Sequence, residues 1–439
     1  MITVTGKVNA LNAAKGRFDL KVTLPYGSGK VEFEVPEGRL LEVISPSNVP
    51  ASDNPNLAVK KALENPVQSE RLVDAVHESD KVSIVCDDIT RKTPVKALLP
   101  PILSSLKSAG VKKDSIQIIV ALGTHRKMSE SEMKEKYGEE VLENYEVVNH
   151  MYDDPGELVE KGRIKRGIPV WINKRYLEST FRIAVGNIIP HMNAGWSGGA
   201  KILLPGLAGE ETVGLMHVES ARTVPNALGL AENPTREILD AYAGEVGLNM
   251  IVNTVLNRDG DVVNVLAGHY VSAHRKGITE SRKVYEVTVP ELADIVISSS
   301  YPADMEFWQG EKGLFSADLA VKENGGIILV TPCPEGVSVN HPEWVEILDH
   351  TPGEIEELIR RREVEDLVAA GLALSLAKIR EPHNICLVSH GISYKEAEKM
   401  RFQKFSTVEE ALSHLTRIYG KDSKISVITH GGDIYPKLG

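Results

Sequence analysis

The pattern of apolar and polar positions changes near residue 81. Before it, LPYGSGKVEFEVPEG at 24–38 alternates around a Gly-rich turn, which predicts a β-hairpin. After it, short apolar runs such as KVSIVCDD at 81–88 and SIQIIVALG at 115–123 are separated by helix-like segments. Buried strands that alternate with helices predict βαβ units and a mostly parallel sheet.

A second series of the same kind begins at residue 293. Its predicted strands are ADIVISSS, GGIILVTPC, NICLVSHG and KISVITHG, and a helix and linker at about 270–290 precede them. We therefore predict an α/β fold with two domains, 1–272 and 273–439, each a mostly parallel sheet flanked by helices. We expect the active site in the interdomain cleft, with the second domain closing over the substrate and its last strand able to pack on the first domain.

Composition narrows the class of protein. The 439 residues are 42% hydrophobic and 25% charged, as in globular proteins, and the net charge of −11 argues against nucleic acid as a partner. The first 16 residues lack a basic region followed by an apolar run, and no stretch is apolar enough to span a membrane. We expect a cytoplasmic protein. Cys86, Cys333 and Cys386 are far apart, which argues against disulfides and a zinc ribbon.

Two loops of the first domain carry polar side chains just after apolar runs, where α/β sheets bind ligands. DDITRKTP at 87–94 combines Asp88, Thr90 and Arg91, and a guanidinium suits a carboxylate or phosphate. The same residues could instead cap a surface helix. GTHR at 123–126 makes His125 a candidate acid or base, although an incidental loop histidine fits equally well.

The third loop, HMNAGWSGGAKILLPG at 191–206, is the richest in candidate chemistry. His191 opens it, and its glycines allow a ligand to approach the backbone closely. The candidate ligand-binding residues at its centre are Gly195, Ser197, Gly198 and Gly199. It is not a Walker A loop, because Ile202 follows Lys201. Lys201 is a candidate phosphate clamp or covalent anchor, and the apolar flanks argue against a flexible linker.

Two further segments carry weaker signals. His217 lies in a helix-like segment, where a lone histidine is usually structural. No HExxH motif is present, so an all-protein zinc site is poorly supported. In YPADMEFWQGEKG at 301–313, Trp308, Gln309 and Lys312 are close in sequence, and the last two share a face if a helix begins there. That face could bind a polar anion.

Together, DDITRKTP, GTHR, HMNAGWSGGAKILLPG, His217 and YPADMEFWQGEKG resemble, in this order, the nickel-pincer lactate racemase family. The resemblance covers nearly the whole chain. It implies a racemase or epimerase that inverts C2 of a small 2-hydroxy acid through a 2-keto acid, by proton-coupled hydride transfer. It also implies a nickel-pincer nucleotide, nickel pyridinium-3,5-bisthiocarboxylic acid mononucleotide, bound covalently to a lysine. The implied partners are the enzymes that build this cofactor and insert nickel.

The resemblance also implies roles for single residues. Lys201 would anchor the cofactor, His217 would bind nickel, and His125 and His191 would be the acid and base. The implied cofactor contacts are Asp88, Thr90, Gly195, Ser197, Gly198 and Gly199. The implied substrate-binding residues are Arg91, Trp308, Gln309 and Lys312.

The chain departs from the family pattern at pocket positions. Trp308 stands where the lactate enzymes carry tyrosine, and Thr124 and Ala200 replace a bulky aromatic residue and an arginine. Lactate, malate, aromatic and longer aliphatic hydroxy acids, and sugar acids therefore all stay open as substrates. Two other functions also stay open. An NAD-type oxidoreductase would need a GxGxxG motif that we do not find, and a nickel or nucleotide carrier would not need paired histidines.

Overall fold

The computed structural model describes residues 5–7 and 19–439. Most of the N-terminal segment in which we looked for a signal peptide therefore lies outside the described residues. The chain forms two compact units. We call Ser47–Val284 the inserted unit, and Met1–Pro46 with Tyr285–Gly439 the flanking unit. Within the described ranges, no helix is long and apolar enough to cross a membrane.

The strands and helices are numbered in chain order. The strands are β1 Thr5–Lys7, β2 Asp19–Tyr26, β3 Gly29–Pro36, β4 Leu40–Ile44, β5 Val82–Asp87, β6 Ile116–Ala121, β7 Glu146–Asn149, β8 Leu158–Arg163, β9 Pro169–Asn173, β10 Phe181–Asn187, β11 Pro190–His191, β12 Gly195–Trp196, β13 Met250–Leu256, β14 Val262–Gly268, β15 Glu286–Val289, β16 Ala293–Ser299, β17 Val321–Val330, β18 Asn384–Val388, β19 Gln403–Phe405, β20 Ile425–Ile428 and β21 Tyr435–Leu438. The α-helices are α1 Pro55–Glu64, α2 Leu72–Ala75, α3 Val95–Ser108, α4 Glu130–Tyr137, α5 Glu139–Asn144, α6 Lys174–Leu177, α7 Glu210–Thr223, α8 Pro234–Val246, α9 Ser272–Tyr285, α10 Phe307–Gly310, α11 Lys312–Asp318, α12 Trp344–Leu348, α13 Pro352–Arg361, α14 Leu367–Arg380, α15 Tyr394–Lys399 and α16 Val408–Tyr419.

The inserted unit is built on a six-stranded sheet in the order β14-β13-β10-β5-β6-β7. All neighbouring pairs are parallel except β13 with β14. Ile84 on β5 and Ile118 on β6 pack against Leu99 and Ile102 of α3 in one core cluster. Burying each such side chain stabilises the fold by about 1.5–3 kcal/mol. The paired prolines of α3 do not interrupt it, since the helix continues from Val95 to Ser108.

The flanking unit contains a second six-stranded sheet, in the order β19-β18-β17-β16-β20-β4, and every neighbouring pair in it is parallel. The predicted hairpin forms from β2 and β3, and Val22 and Phe33 pack against Ile297 and Val427 of this sheet. Helix α14 is almost wholly buried. The prediction of two mostly parallel α/β sheets flanked by helices is confirmed.

The division of the chain differs from the predicted boundary at residue 272. That residue begins α9, and the division falls at the end of this helix, between Val284 and Tyr285. The first strands belong with the C-terminal series because β4 pairs in parallel with β20, with Val43 opposite Val427. The last strand, β21, pairs with β15 and so also stays in the flanking unit. Pairing between such distant segments leaves no local signal in the sequence.

Candidate active site

The three predicted loops of the inserted unit meet at one edge of its sheet. They follow β5, β6 and β10, which are parallel neighbours whose carboxyl ends share that edge. The loops also touch. The N–H of Gly123, after β6, donates a hydrogen bond of 3.0 Å to the carbonyl of Gly206, at the end of the Gly-rich loop. The fold therefore brings the sequence-predicted candidates of this unit to one region.

Asp88 and His125 form a carboxylate–imidazole pair in which the carboxylate is buried and the imidazole is partly exposed. Asp88 Oδ2 lies 2.6 Å from His125 Nδ1, and Asp88 Oδ1 accepts bonds from the N–H and hydroxyl of Thr90 at 3.1 and 2.6 Å. Burial by itself raises the pKa of the Asp88 carboxyl, but His125, Arg91 and these hydrogen bonds together hold it below its ordinary range. Asp88 is therefore ionised and accepts from Nδ1–H, which leaves Nε2 of His125 as the atom that can take a proton.

Three residues of the DDITRKTP loop, Asp87, Asp88 and Thr93, are buried and the other five are half-buried, so the loop is not the surface turn that the alternative interpretation required. Arg91 Nη1 donates to the Thr90 hydroxyl at 2.9 Å. Burial raises the pKa of Asp87, which lies 3.3 Å from Lys136 Nζ and accepts a hydrogen bond from Thr93. Lys136 also donates to the carbonyl of Arg91. Sequence reasoning missed Lys136, because a lysine in a polar helix gives no sign of burial.

His191 differs from His125 in the ring nitrogen that carries the proton. It lies on β11, which pairs with β12 in a short antiparallel ribbon, and it is buried. Its Nδ1 accepts hydrogen bonds from the backbone N–H groups of Asn193 and Ala194 at 3.2 and 3.4 Å. The neutral ring therefore carries its proton on Nε2, whereas His125 carries its proton on Nδ1.

The Gly-rich loop is rigidly packed. Gly195 has φ +74°, and a Cβ there would lie 1.7 Å from the carbonyl oxygen of Leu230. The Ser197 hydroxyl donates to the carbonyl of Asn187 at 2.8 Å and accepts from the N–H of Ile189 at 2.9 Å. Ser197 thus holds the loop in place. Gly198 has φ +75° and precedes a 3₁₀ turn, Gly199–Ile202, which carries the half-buried Lys201.

Two residues that sequence reasoning missed contact backbone carbonyls of this loop and hold it in place. Arg236 on α8 is fully buried and donates to the carbonyls of the loop. Its acceptors are Ala194, Trp196 and Gly198. Burial lowers the pKa of Arg236 to about 10, so the guanidinium stays charged at neutral pH. His274 Nε2 lies 2.8 Å from the carbonyl of Ser197. Both lie far along the chain from the loop, so no local pattern indicates their role.

His217, on α7, contacts the same loop through a side chain. Its Nδ1 lies 3.1 Å from Nδ2 of Asn193, two residues after His191. Among the described residues, we find no group of three or more His, Cys, Asp or Glu side chains able to hold a metal ion. A metal at His217 would therefore need most of its ligands from elsewhere.

Trp308, Gln309 and Lys312 form a separate cluster in the flanking unit. Lys312 Nζ donates to Gln309 Oε1 at 2.6 Å, as their spacing predicted. Trp308 is buried and stacks on the ring of His341, with centroids 4.2 Å apart and planes 11° from parallel. His341 Nδ1 in turn lies 2.5 Å from Asp366. The structure thus brings the three predicted residues together and adds His341 behind Trp308.

Comparisons with known proteins agree with this architecture. The lactate racemase N-terminal domain matches residues 26–229 and the lactate racemase C-terminal domain matches residues 289–434. A lactate racemase from Thermoanaerobacterium thermosaccharolyticum is 30% identical over 419 residues, covering 93% of this chain and 97% of that protein. A lactate racemase from Lactiplantibacillus plantarum is 28% identical, covering 93% of this chain and 98% of that protein.

Solved structures give the same result. The lactate racemase apoprotein from Thermoanaerobacterium thermosaccharolyticum superposes with a TM-score of 0.85 at 30% identity, covering 95% of this chain and 100% of that one. A crystal structure of a protein from Thermotoga maritima, at 18% identity and a TM-score of 0.70, covers 89% of this chain and 100% of that one, and supports the fold alone.

The fold and these relatives define an isomerase, and within that class a racemase. The chain belongs to the lactate racemase family. The family assignment made from the motifs is therefore confirmed.

Proposed function

We propose that this enzyme inverts the C2 stereocentre of a small 2-hydroxy acid with a nickel-pincer nucleotide carried on Lys201. The observation that carries the proposal is the Asp88–His125 pair at 2.6 Å, on the sheet edge that also bears the Lys201 loop. A carboxylate-oriented imidazole is a competent base for a hydroxyl group. Relatives that span nearly the whole chain are named lactate racemases, which supports the substrate class.

The residues fit this cofactor. Lys201 is half-buried on a turn whose backbone is fixed by Arg236 and Ser197, so an adduct on its amine would be held in one place. His217 offers one imidazole, which suits a nickel ion whose other ligands are soft sulfur and carbon atoms of the nucleotide. When bound, the pyridinium group accepts hydride from C2 and returns it. The enzymes that build this cofactor and insert nickel are therefore the partners that we propose.

The protein residues supply proton transfer and orientation. The hydrogen on C2 is a poor acid, so it can leave as hydride only if the hydroxyl proton leaves with it. Oriented by its hydrogen bond to Asp88, His125 Nε2 would take that proton as hydride leaves C2, and the product of the two losses is a planar 2-keto acid. His191, acting from its protonated form, returns a proton to the oxygen when hydride reaches the opposite face. In the reverse direction the two histidines exchange roles, for which His191 must carry its ring proton on Nδ1 and give up the hydrogen bonds from the N–H groups of Asn193 and Ala194.

Substrate binding is proposed for the cations and polar groups of the two clusters. Arg91, fixed beside Thr90, can bind a carboxylate, and Lys312 with Gln309 offers a second cationic group. Trp308 is held by its stack on His341 and so is a rigid apolar surface for the substrate. We propose cofactor contacts for Thr90 and for Gly198 and Gly199. Asp88 and Ser197 we assign instead to holding His125 and the loop, because their hydrogen bonds serve those purposes.

The first experiment is mass spectrometry of the Lys201 peptide after co-production with the cofactor-building enzymes, with nickel assayed on the same sample. We expect a large adduct on Lys201 and about one nickel per chain, the stoichiometry of one anchor and one imidazole ligand. The loaded protein is then given a panel of chiral 2-hydroxy acids. An unmodified Lys201 beside a loaded control racemase would contradict the proposal.

A second experiment tests the two histidines. In a single turnover, His125→Gln should fail to form bound 2-keto acid from one enantiomer, and His191→Gln should fail with the other. The double variant should be inactive while retaining the adduct on Lys201. Racemisation by the double variant would show that neither histidine is the base, and a carrier function would then fit the protein better.

A further inference from the structure

We propose that Asn193 is a positioning residue for His217, with its side-chain oxygen accepting the Nδ1–H of the imidazole whenever nickel is bound. The inference rests on the proposed function, since it concerns the ligand through which His217 would serve the cofactor. It assigns a role to a residue that the motif comparison passed over.

The contact itself is well defined. Asn193 is buried, with 2% of its surface exposed, and its amide lies 3.1 Å from Nδ1 of His217. Its backbone N–H donates to Nδ1 of His191. One residue therefore touches both histidines, through its backbone in one case and its side chain in the other.

The amide has two orientations with nearly identical heavy-atom geometry. With Nδ2 facing the imidazole, the amide donates to Nδ1, and Oδ1 is left buried without a partner among the described residues. A buried carbonyl without a hydrogen bond destabilises the folded protein. With the amide turned by 180°, Oδ1 accepts a hydrogen bond from Nδ1–H of the imidazole instead, and the carbonyl is satisfied.

Metal binding selects between these orientations. A neutral imidazole binds a metal through the nitrogen that has no proton, and its other nitrogen normally donates to a neighbouring oxygen. If Asn193 donates to Nδ1, the neutral ring carries its proton on Nε2, and neither nitrogen has a lone pair for nickel. If Oδ1 accepts from Nδ1–H, Nε2 has the lone pair. Only the turned amide is compatible with nickel on His217.

The turned amide has a second consequence. Its Nδ2 then occupies the place of the present Oδ1, an atom that has no hydrogen-bond partner among the described residues. Two N–H donors would face that place, and an acceptor atom of the bound nucleotide or substrate could satisfy them. Loading of the site and rotation of the amide are therefore coupled.

The test compares Asn193→Asp with Asn193→Leu. Aspartate is nearly isosteric and can only accept, so it should hold the Nδ1–H form of His217 in the apoprotein. Long-range ¹⁵N–¹H spectra of histidine-labelled apoprotein, assigned with a His217→Gln variant, should show this tautomer directly. Leucine has a similar size and no acceptor, so the preference should be lost.

Nickel retention gives a second readout that does not depend on activity. On protein whose Lys201 adduct has been verified, Asn193→Leu should release nickel to a chelator about 10- to 100-fold faster than the wild type, the usual loss when such a partner is removed. Asn193→Asp should retain nickel at least as well as the wild type.

The outcomes separate the two proposals. Missing adduct and nickel in the wild type would refute the proposed cofactor. With the adduct in place, equal nickel release from all three proteins, or loss of nickel from the aspartate variant, would overturn the role of Asn193. If the leucine variant does not fold, the aspartate variant alone tests the role of Asn193. A carboxylate cannot donate to Nδ1, so the aspartate variant would lose nickel if Asn193 had to act as a donor.

Discussion

Asp88 and His125 lie at the ends of neighbouring parallel strands, and their side chains meet at 2.6 Å. Asp88 directly follows β5, and His125 lies four residues beyond the end of β6, so the parallel register of the two strands and the turn at 122–125 together set the distance between them. The pair is rigid at both ends, because Asp88 is also held by Thr90 and the backbone N–H of His125 donates to Leu122. The pair is therefore already formed in the protein without a bound substrate.

Replacing Asp88 by asparagine should lower kcat by about 100- to 10,000-fold, the usual size of a general-base contribution. Asparagine keeps the shape but can donate to Nδ1, which would place the ring proton on Nε2 and remove the base. The measurement is the rate of racemisation by protein whose Lys201 adduct and nickel content match those of the wild type.

Glu132→Gln is the matched control for this substitution. Glu132 is also a carboxylate that accepts hydrogen bonds from a neighbouring side chain of the same region, since it accepts from Arg126 at 3.0 and 2.8 Å. That pair is partly exposed, and such pairs contribute little to stability. We expect its rate to stay at the wild-type level. Equal losses in the two variants would mean that Asp88 has no special role.

Gly195→Ala should prevent the loop from adopting its fold. A Cβ at residue 195 would lie 1.7 Å from a backbone oxygen, and φ is +74°. Gly167 has nearly the same φ, +73°, but a Cβ there would meet no atom of the described residues within 4 Å. We expect Gly167→Ala to cost about 1 kcal/mol and Gly195→Ala more than about 3 kcal/mol, as seen by denaturation of the apoproteins. Similar denaturation midpoints for the two variants would show that close packing is not the reason for a glycine at position 195.

Much of the fold could be predicted because its strands are local apolar runs. KVSIVC and SIQIIVA became β5 and β6 as expected, and their loops carried the polar residues that α/β sheets place at strand ends. The pairing of β4 with β20 could not be predicted, since β4 gives no local sign of a partner more than 380 residues away. The same long-range pairing moved the first strands into the flanking unit.

The site divides in the same way. Residues in contiguous motifs, such as Asp88, Thr90 and Arg91, could be identified because they share one loop. Arg236 and His274 could not, because each reaches the Gly-rich loop from a separate helix through a backbone carbonyl. A carbonyl acceptor has no sequence signature, so the residues that hold a loop in place are harder to find than those that do chemistry on it.

Arg236→Lys tests the support beneath the Gly-rich loop. Lysine keeps the charge but lacks the planar fork, so it cannot donate to the carbonyls of Ala194, Trp196 and Gly198 together. We expect a loss of at least about 2 kcal/mol in the free energy of unfolding, since bonds from a buried charge are the strong ones. Arg163→Lys is the control, because Arg163 also binds a carbonyl, that of Gly167, but is exposed. Equal stability of the two variants would rule out this support.

The free energy of unfolding should decrease as the pH falls below about 6.5, which is the ordinary pKa of a histidine side chain. Burial lowers the pKa of His150 to about 4 and also lowers that of His274, so both are neutral in the folded protein. Between the folded and unfolded values the unfolded chain binds more protons, which favours unfolding by up to about 1.4 kcal/mol per pH unit for each histidine. His150 Nε2 lies 3.0 Å from the carbonyl of Ala208, just past the Gly-rich loop, so acid should loosen that region first. Denaturation of the apoprotein from pH 7.5 to 4.5 measures the slope, and His150→Gln should reduce it. A wild-type slope that His150→Gln leaves unchanged would show that this buried histidine does not set the acid limit of the fold.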